Sequence, residues 1–181
     1  MADLRTTAAP ALIESSDEEA PWQQAVLKHP DGIEIAVIER NPVVEGELGA
    51  EELQEFLDEL PLYQPQSSVE WLQQYLPRVK VIYAFQLLSG TDINDGWTPL
   101  HRVYNAIWTI AGGILQADGE GFSNEDGYTI LWQFSDSAEG TWNVGLLTGD
   151  LWRHFELDLG NLAHREAFRR GQMPDGVTIL E

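Results

Sequence analysis

The sequence predicts a mixed α+β fold: a mostly antiparallel sheet of about 6–8 strands with 3–4 helices packed mainly on one face. Three observations lead there. Apolar residues alternate with period two in several short runs and recur with the helical period in others. Most of the strand-like runs follow one another across short turns instead of helical crossovers, which makes neighbours antiparallel. The 181 residues are 43% hydrophobic and include 7 Trp, 5 Tyr and 6 Phe, enough to build a core without disulfide staples.

Residues 1–20 end in Glu14-Ser15-Ser16-Asp17-Glu18-Glu19-Ala20, show no periodicity and are expected to form a flexible acidic arm. Residues 21–181 are then expected to be one domain. Trp22–Leu27 and Ile33–Ile38 flank His29-Pro30-Asp31-Gly32, a turn sequence, and predict a β-hairpin. A loop follows over 41–49. Leu53, Phe56, Leu57 and Leu60 stand at helical spacing and predict an amphipathic helix over Ala50–Leu60, stopped by Pro61. A short second helix is expected with Ser67 or Ser68 as N-cap and Trp71, Leu72, Tyr75 and Leu76 inward, ending at Pro77.

Val79–Leu88 is apolar on both faces, the pattern of a central strand. Thr98 and Pro99 open a helix running to Ala111, with Leu100, Val103, Tyr104, Ile107, Trp108 and Ala111 as its buried stripe and Gly112-Gly113 as its stop. Ile114–Ala117, Tyr128–Phe134, Thr141–Leu147 and Leu151–Leu159 are expected strands, and the polar run 118–127 a loop. Asn161 is placed to cap a last helix, Leu162–Arg170, and Val177–Leu180 to close the chain as an edge strand.

Composition removes several function classes. With no cysteine there is no thiolate nucleophile, iron–sulfur cluster or Cys-type zinc site. Met1–Pro10 lacks the basic start and apolar run of a signal peptide, and no apolar run approaches the roughly 20 residues of a membrane span, so a cytoplasmic location is expected. The net charge of −20 repels nucleic acid and anionic membranes and attracts basic partners or divalent cations.

The most distinctive segment is Asp118-Gly-Glu-Gly-Phe-Ser-Asn-Glu-Asp-Gly127. Asp118, Glu120, Asn124, Glu125 and Asp126 offer the hard oxygen ligands that calcium takes, although their spacing is not that of an EF-hand. The plain alternative is a hairpin connection with solvated acids. His101 beside Asp92, Asp95 and Trp97 resembles the neighbourhood of a general base, yet as an exposed polar helix residue it needs no further explanation. His29, His154 and His164 lack metal-ligand spacing. Trp132, Trp142 and Trp152, ten apart, are expected to line up as a cross-strand ladder, either a binding face or core packing. Arg165, Arg169 and Arg170 are expected to dock on the acidic helix face.

No catalytic signature emerges. The expected function is a non-enzymatic acidic interaction module, a regulator, assembly factor or inhibitor that engages a basic protein surface. Its expected contact residues are Glu51, Glu52, Glu55, Asp58, Glu59 and Trp97. The alternatives are a calcium-binding protein using the 118–126 loop, and a carboxylate–histidine hydrolase.

Overall fold

The computed structural model describes residues 8, 12–15 and 22–180. These form nine strands in three antiparallel sheets and four α-helices, a mixed α+β architecture. Where the sequence pattern points to one sheet of about 6–8 strands, the largest sheet has four. The chain divides into two compact units, Met1–Leu53 with Val79–Gly112 and Gln54–Arg78 with Gly113–Glu181.

Unit 1 is built on a sheet of order β1-β2-β3-β4: Leu12–Ser15, Gln24–Lys28, Glu34–Pro42 and Val81–Leu87. The expected hairpin is there, with the Gly32 N–H donating to the His29 carbonyl at 2.8 Å and Gly32 at a φ of 85° that a side chain would strain. Leu27, Ile35, Ala36 and Ile38 form the core with Leu100 and Val103 of helix α3 (Trp97–Ala111).

Three features of this unit depart from the sequence reading. Leu12–Ser15 lies inside the stretch expected to be a free arm, yet it pairs with β2 and buries Ile13. Lys28 ties it down by an ion pair with Glu14 at 2.7 Å. The other residues of that stretch, apart from Ala8, lie outside the described residues. Val81–Leu87, expected to be central, is an edge strand: Tyr83 and Phe85 pack on the core, and the strand is half-buried or exposed along its length. Helix α3 begins after Gly96 with no side-chain cap, so Thr98 is not its N-cap. It buries Leu100 and Val103, half-buries Tyr104, Ile107 and Trp108, and exposes Ala111. Burial pushes the Tyr104 phenol up to about 12.

Helix α1 (Leu48–Glu59) belongs to unit 1 up to Leu53 and to unit 2 from Gln54. Unit 2 continues through α2 (Gln66–Tyr75), the hairpin β5 (Leu115–Ala117) and β6 (Gly121–Ser123), the sheet β7-β8-β9 (Thr141–Thr148, Leu151–Asp158, Ile179–Leu180) and α4 (Leu162–Arg169). The β7–β8 hairpin, the edge strand β9 and the Asn161 cap occur as expected; the Asn161 side chain accepts from the Ala163 and His164 N–H groups. Helix α2 starts after Pro65 instead of at a serine cap. Ser67 and Ser68 lie within it, their hydroxyls buried without a hydrogen-bond partner.

The expected loop 118–127 contains strand β6, and Gly121 passes so close to the Leu131 carbonyl that no Cβ fits there. The expected strand 128–134 forms no ladder, only isolated bridges at Thr129. Its apolar residues Ile130, Leu131, Trp132 and Phe134 are buried all the same. Its backbone is satisfied piecemeal, with Ile130 N–H donating to Phe122 O at 2.7 Å and Trp132 N–H to Gln64 O at 2.8 Å. No tryptophan ladder forms. Trp132 is outside any strand, and in the β7–β8 register Trp142 faces Leu157 while Trp152 faces Leu147.

The C-terminal arginines do not serve the acidic helix. Arg165 is buried, and its guanidinium donates to the carbonyls of Leu159, Asp136 and Ala138. Arg169 lies 4.9 Å above the Trp132 ring, next to Asp136, and Arg170 pairs with Glu166 in its own helix. Arg165 lies 5.9 Å from the ring of Trp132, which packs with Phe134, Phe155 and Phe168 in the aromatic core of the unit.

Arg165→Met is expected to lower unfolding stability by about 3 kcal/mol, because three carbonyls lose a charged donor at once. Arg165→Lys is expected to lose less, since an ammonium reaches some of them. Urea unfolding of both variants checks this; a loss below about 1 kcal/mol for the methionine variant contradicts it.

Candidate functional site

The i, i+3, i+4 pattern of α1 turns Leu53 inward, with Leu60 buried just beyond the helix end and Phe56 edge-on to Phe122 at 5.5 Å. The opposite face must then carry the acids. Glu51, Glu55 and Glu59 form one row at i, i+4 spacing, with Asp58 beside it, and all four are exposed. Glu52 is half-buried and engaged within the molecule. Two neutral donors reach this face: Gln54 Nε2 donates to Asp58 at 2.8 Å and the Tyr63 hydroxyl to Glu59 at 3.2 Å. Burial, then Glu59, holds the Tyr63 phenol above its ordinary value. Among the described residues no Lys, Arg or His forms an ion pair with Glu51, Glu55, Asp58 or Glu59. Trp97 stands apart on α3, 47% exposed, with its ring 5.7 Å from that of His101.

The five oxygen donors of the acidic loop go to different tasks. Asp118 accepts from Gln116 at the β5–β6 turn, and Glu120 lies exposed in that turn. Asn124 is fully buried, and its Oδ1 accepts from the Asp126 and Tyr128 N–H groups at 3.2 and 3.0 Å. This closes a turn of its own over 124–128. Glu125 is exposed and borders Tyr75, whose phenol is raised by burial and then by that carboxylate. Asp126 approaches His154 at 3.7 Å. Among the described residues, no three His, Asp or Glu side chains gather closely enough to hold a metal ion.

Two groupings escaped the sequence reading. The first surrounds His154, whose ring stacks on Tyr128 at 3.8 Å and 6° and whose Nε2 lies 3.3 Å from Asn124 Nδ2. Because Asn124 Oδ1 already serves two backbone donors, its amide is held with Nδ2 towards the ring. The second is an aromatic group, Trp71 stacked on Tyr75 at 4.7 Å and edge-on to Trp152 at 5.3 Å, with Arg78 over Tyr75. An open groove of about 280 Å³ in unit 2 is lined by Leu62, Tyr63, Gln64, Trp132 and Arg169 among others. His101 is exposed, with no hydrogen bond or ion pair to Asp92 or Asp95 among the described residues, and His29 contacts Asp31 in its turn. His164 leaves Nδ1 buried and unbonded.

Asn124→Ala is expected to destabilise the protein by about 2–3 kcal/mol, through two orphaned backbone donors. Asp118→Asn should stay within about 0.5 kcal/mol. Urea unfolding distinguishes them. In parallel melts, millimolar calcium and magnesium are expected to give small and equal shifts. One saturable calcium site by calorimetry, abolished by Asp118→Asn with Asp126→Asn, would instead make this loop a cation site. No protein-family model matches the chain, and neither the curated proteins nor the solved structures contain a match to it.

Proposed function

We propose that the protein is a non-enzymatic interaction module, a regulator, assembly factor or inhibitor, that docks the acidic face of α1 on a basic protein surface. The observation that carries this reading is the exposed row Glu51, Glu55 and Glu59 with Asp58, unaccompanied by any cation among the described residues. Such a row is costly where it stands. Each like-charge i, i+4 contact opposes the helix by about 0.2–0.5 kcal/mol. Asp58 and Glu59 also lie at the negative end of the helix dipole, which disfavours them again. Stability does not explain these carboxylates, whereas lysines and arginines of a partner reverse the sign of every term. The net charge of −20 adds steering towards such a surface at long range.

The test is cross-linked capture from the native cell with three proteins of full length. One is the wild type. The second combines Glu51→Gln, Glu55→Gln, Asp58→Asn and Glu59→Gln. The third removes the same charge elsewhere, by Asp92→Asn, Asp118→Asn, Glu120→Gln and Asp150→Asn. A basic protein is expected with the first and third and to fall at least tenfold with the second, while the second is no less stable than wild type. Equal capture by all three contradicts the assignment to α1.

A further inference from the structure

Strand β4 carries a pattern at odds with its place. Val81-Ile82-Tyr83-Ala84-Phe85-Gln86-Leu87 holds no charge and no proline, and its pairing with β3 runs through seven consecutive positions without a bulge. Natural edge strands are protected by lysines, prolines, bulges or brevity. Within Val81–Leu87 there is none of these, Lys80 standing just before it, and among the described residues no strand lies on its outer side. The β2–β3 pairing inside the same sheet does contain a register shift, at Leu27/Lys28. The uncharged, regularly paired strand is therefore at the edge.

From this we infer that β4 is completed by a second copy of this chain, β4 against β4 in antiparallel pairing about a two-fold axis at Ala84. The sequence is self-complementary about that residue. Tyr83 faces Phe85 of the second copy, Val81 faces Leu87, and Ile82 faces Gln86, the aromatic and β-branched cross-strand pairs that stabilise sheets. Ala84, the smallest side chain of the strand, meets itself on the axis, where the two backbones approach most closely. A two-fold axis closes the assembly at two copies and removes the edge from both, giving one eight-stranded sheet from two four-stranded ones. Nothing on the strand would attract a basic partner, which separates this surface from the α1 face. Two chains of −20 repel one another, so the pairing strengthens as salt screens that charge, opposite to the salt dependence of a basic partner on α1.

A chain without cysteine makes the test direct. Residues opposite one another on an antiparallel ladder have Cα atoms about 4.5–5.5 Å apart, within disulfide reach. Ala84→Cys, full-length and mildly oxidised, is expected to give a disulfide-linked dimer at least ten times faster than Asp118→Cys, which lies in an exposed turn. Sedimentation equilibrium of the wild type is expected to show mass rising from 20.3 kDa towards twice that value with protein concentration, and further with added salt. Ala84→Lys, checked by its melt to be folded, is expected to remain monomeric. A wild type that stays monomeric at all concentrations and salts overturns the inference. So does a dimer in which Ala84→Cys cross-links no faster than Asp118→Cys.

Discussion

A guanidinium inside an aromatic core is the constraint on which unit 2 depends. Arg165 reaches inward from α4 and holds the carbonyls of Asp136, Ala138 and Leu159, three backbone groups that no ladder satisfies. A planar fork spreads its donors over three nitrogens, so it can serve three separated acceptors that the single nitrogen of a lysine does not reach together. Satisfying them removes the cost of burying these three carbonyls without a partner, although Trp132 Nε1 in the same core stays buried without one. Among the described residues no carboxylate hydrogen-bonds the group; peptide dipoles and the Trp132 ring 5.9 Å away face its charge.

The use of that arginine bears on the surface. Beyond Arg78 the chain has six basic residues: Lys80, Arg102, Arg153, Arg165, Arg169 and Arg170. Arg165 is committed to the core, Arg169 to Trp132 and Asp136, and Arg170 to Glu166. A chain so poor in cations that then places them this way leaves most carboxylates to solvent. The α1 row is the most ordered expression of that imbalance, and the uncharged β4 edge is its counterpart. One surface suits a cationic partner and the other a neutral strand.

Much of this was legible locally. The hairpin at His29–Gly32, the face of α1, the Asn161 cap and the β7–β8 turn each rest on a few adjacent residues, and each formed where expected. What failed depended on distant neighbours. Periodicity shows that both faces of Val81–Leu87 are apolar, but not how many strands flank it. The 118–127 run hides a three-residue strand whose burial comes from Phe56 and Leu131, remote in sequence. Segment 128–134 has strand composition and is buried, but its donors find scattered acceptors instead of a ladder. An arginine on a short terminal helix looks like a surface residue, and only the assembled carbonyls make Arg165 a core one. Among the candidate residues, the acidic stripe of α1 was readable because a helix alone fixes it. The meeting of Asn124, Tyr128 and His154 was not, since it joins residues thirty positions apart.

Hydrogen exchange at the arginine side chains measures the clamp itself. By NMR, the Nε–H of Arg165 is expected to give a resolved signal that exchanges only through global unfolding, slower by orders of magnitude than the Nε–H of exposed Arg78. Exchange of Arg165 as fast as that of Arg78 in the folded protein would mean that the guanidinium is not held by those three carbonyls, and would contradict the account.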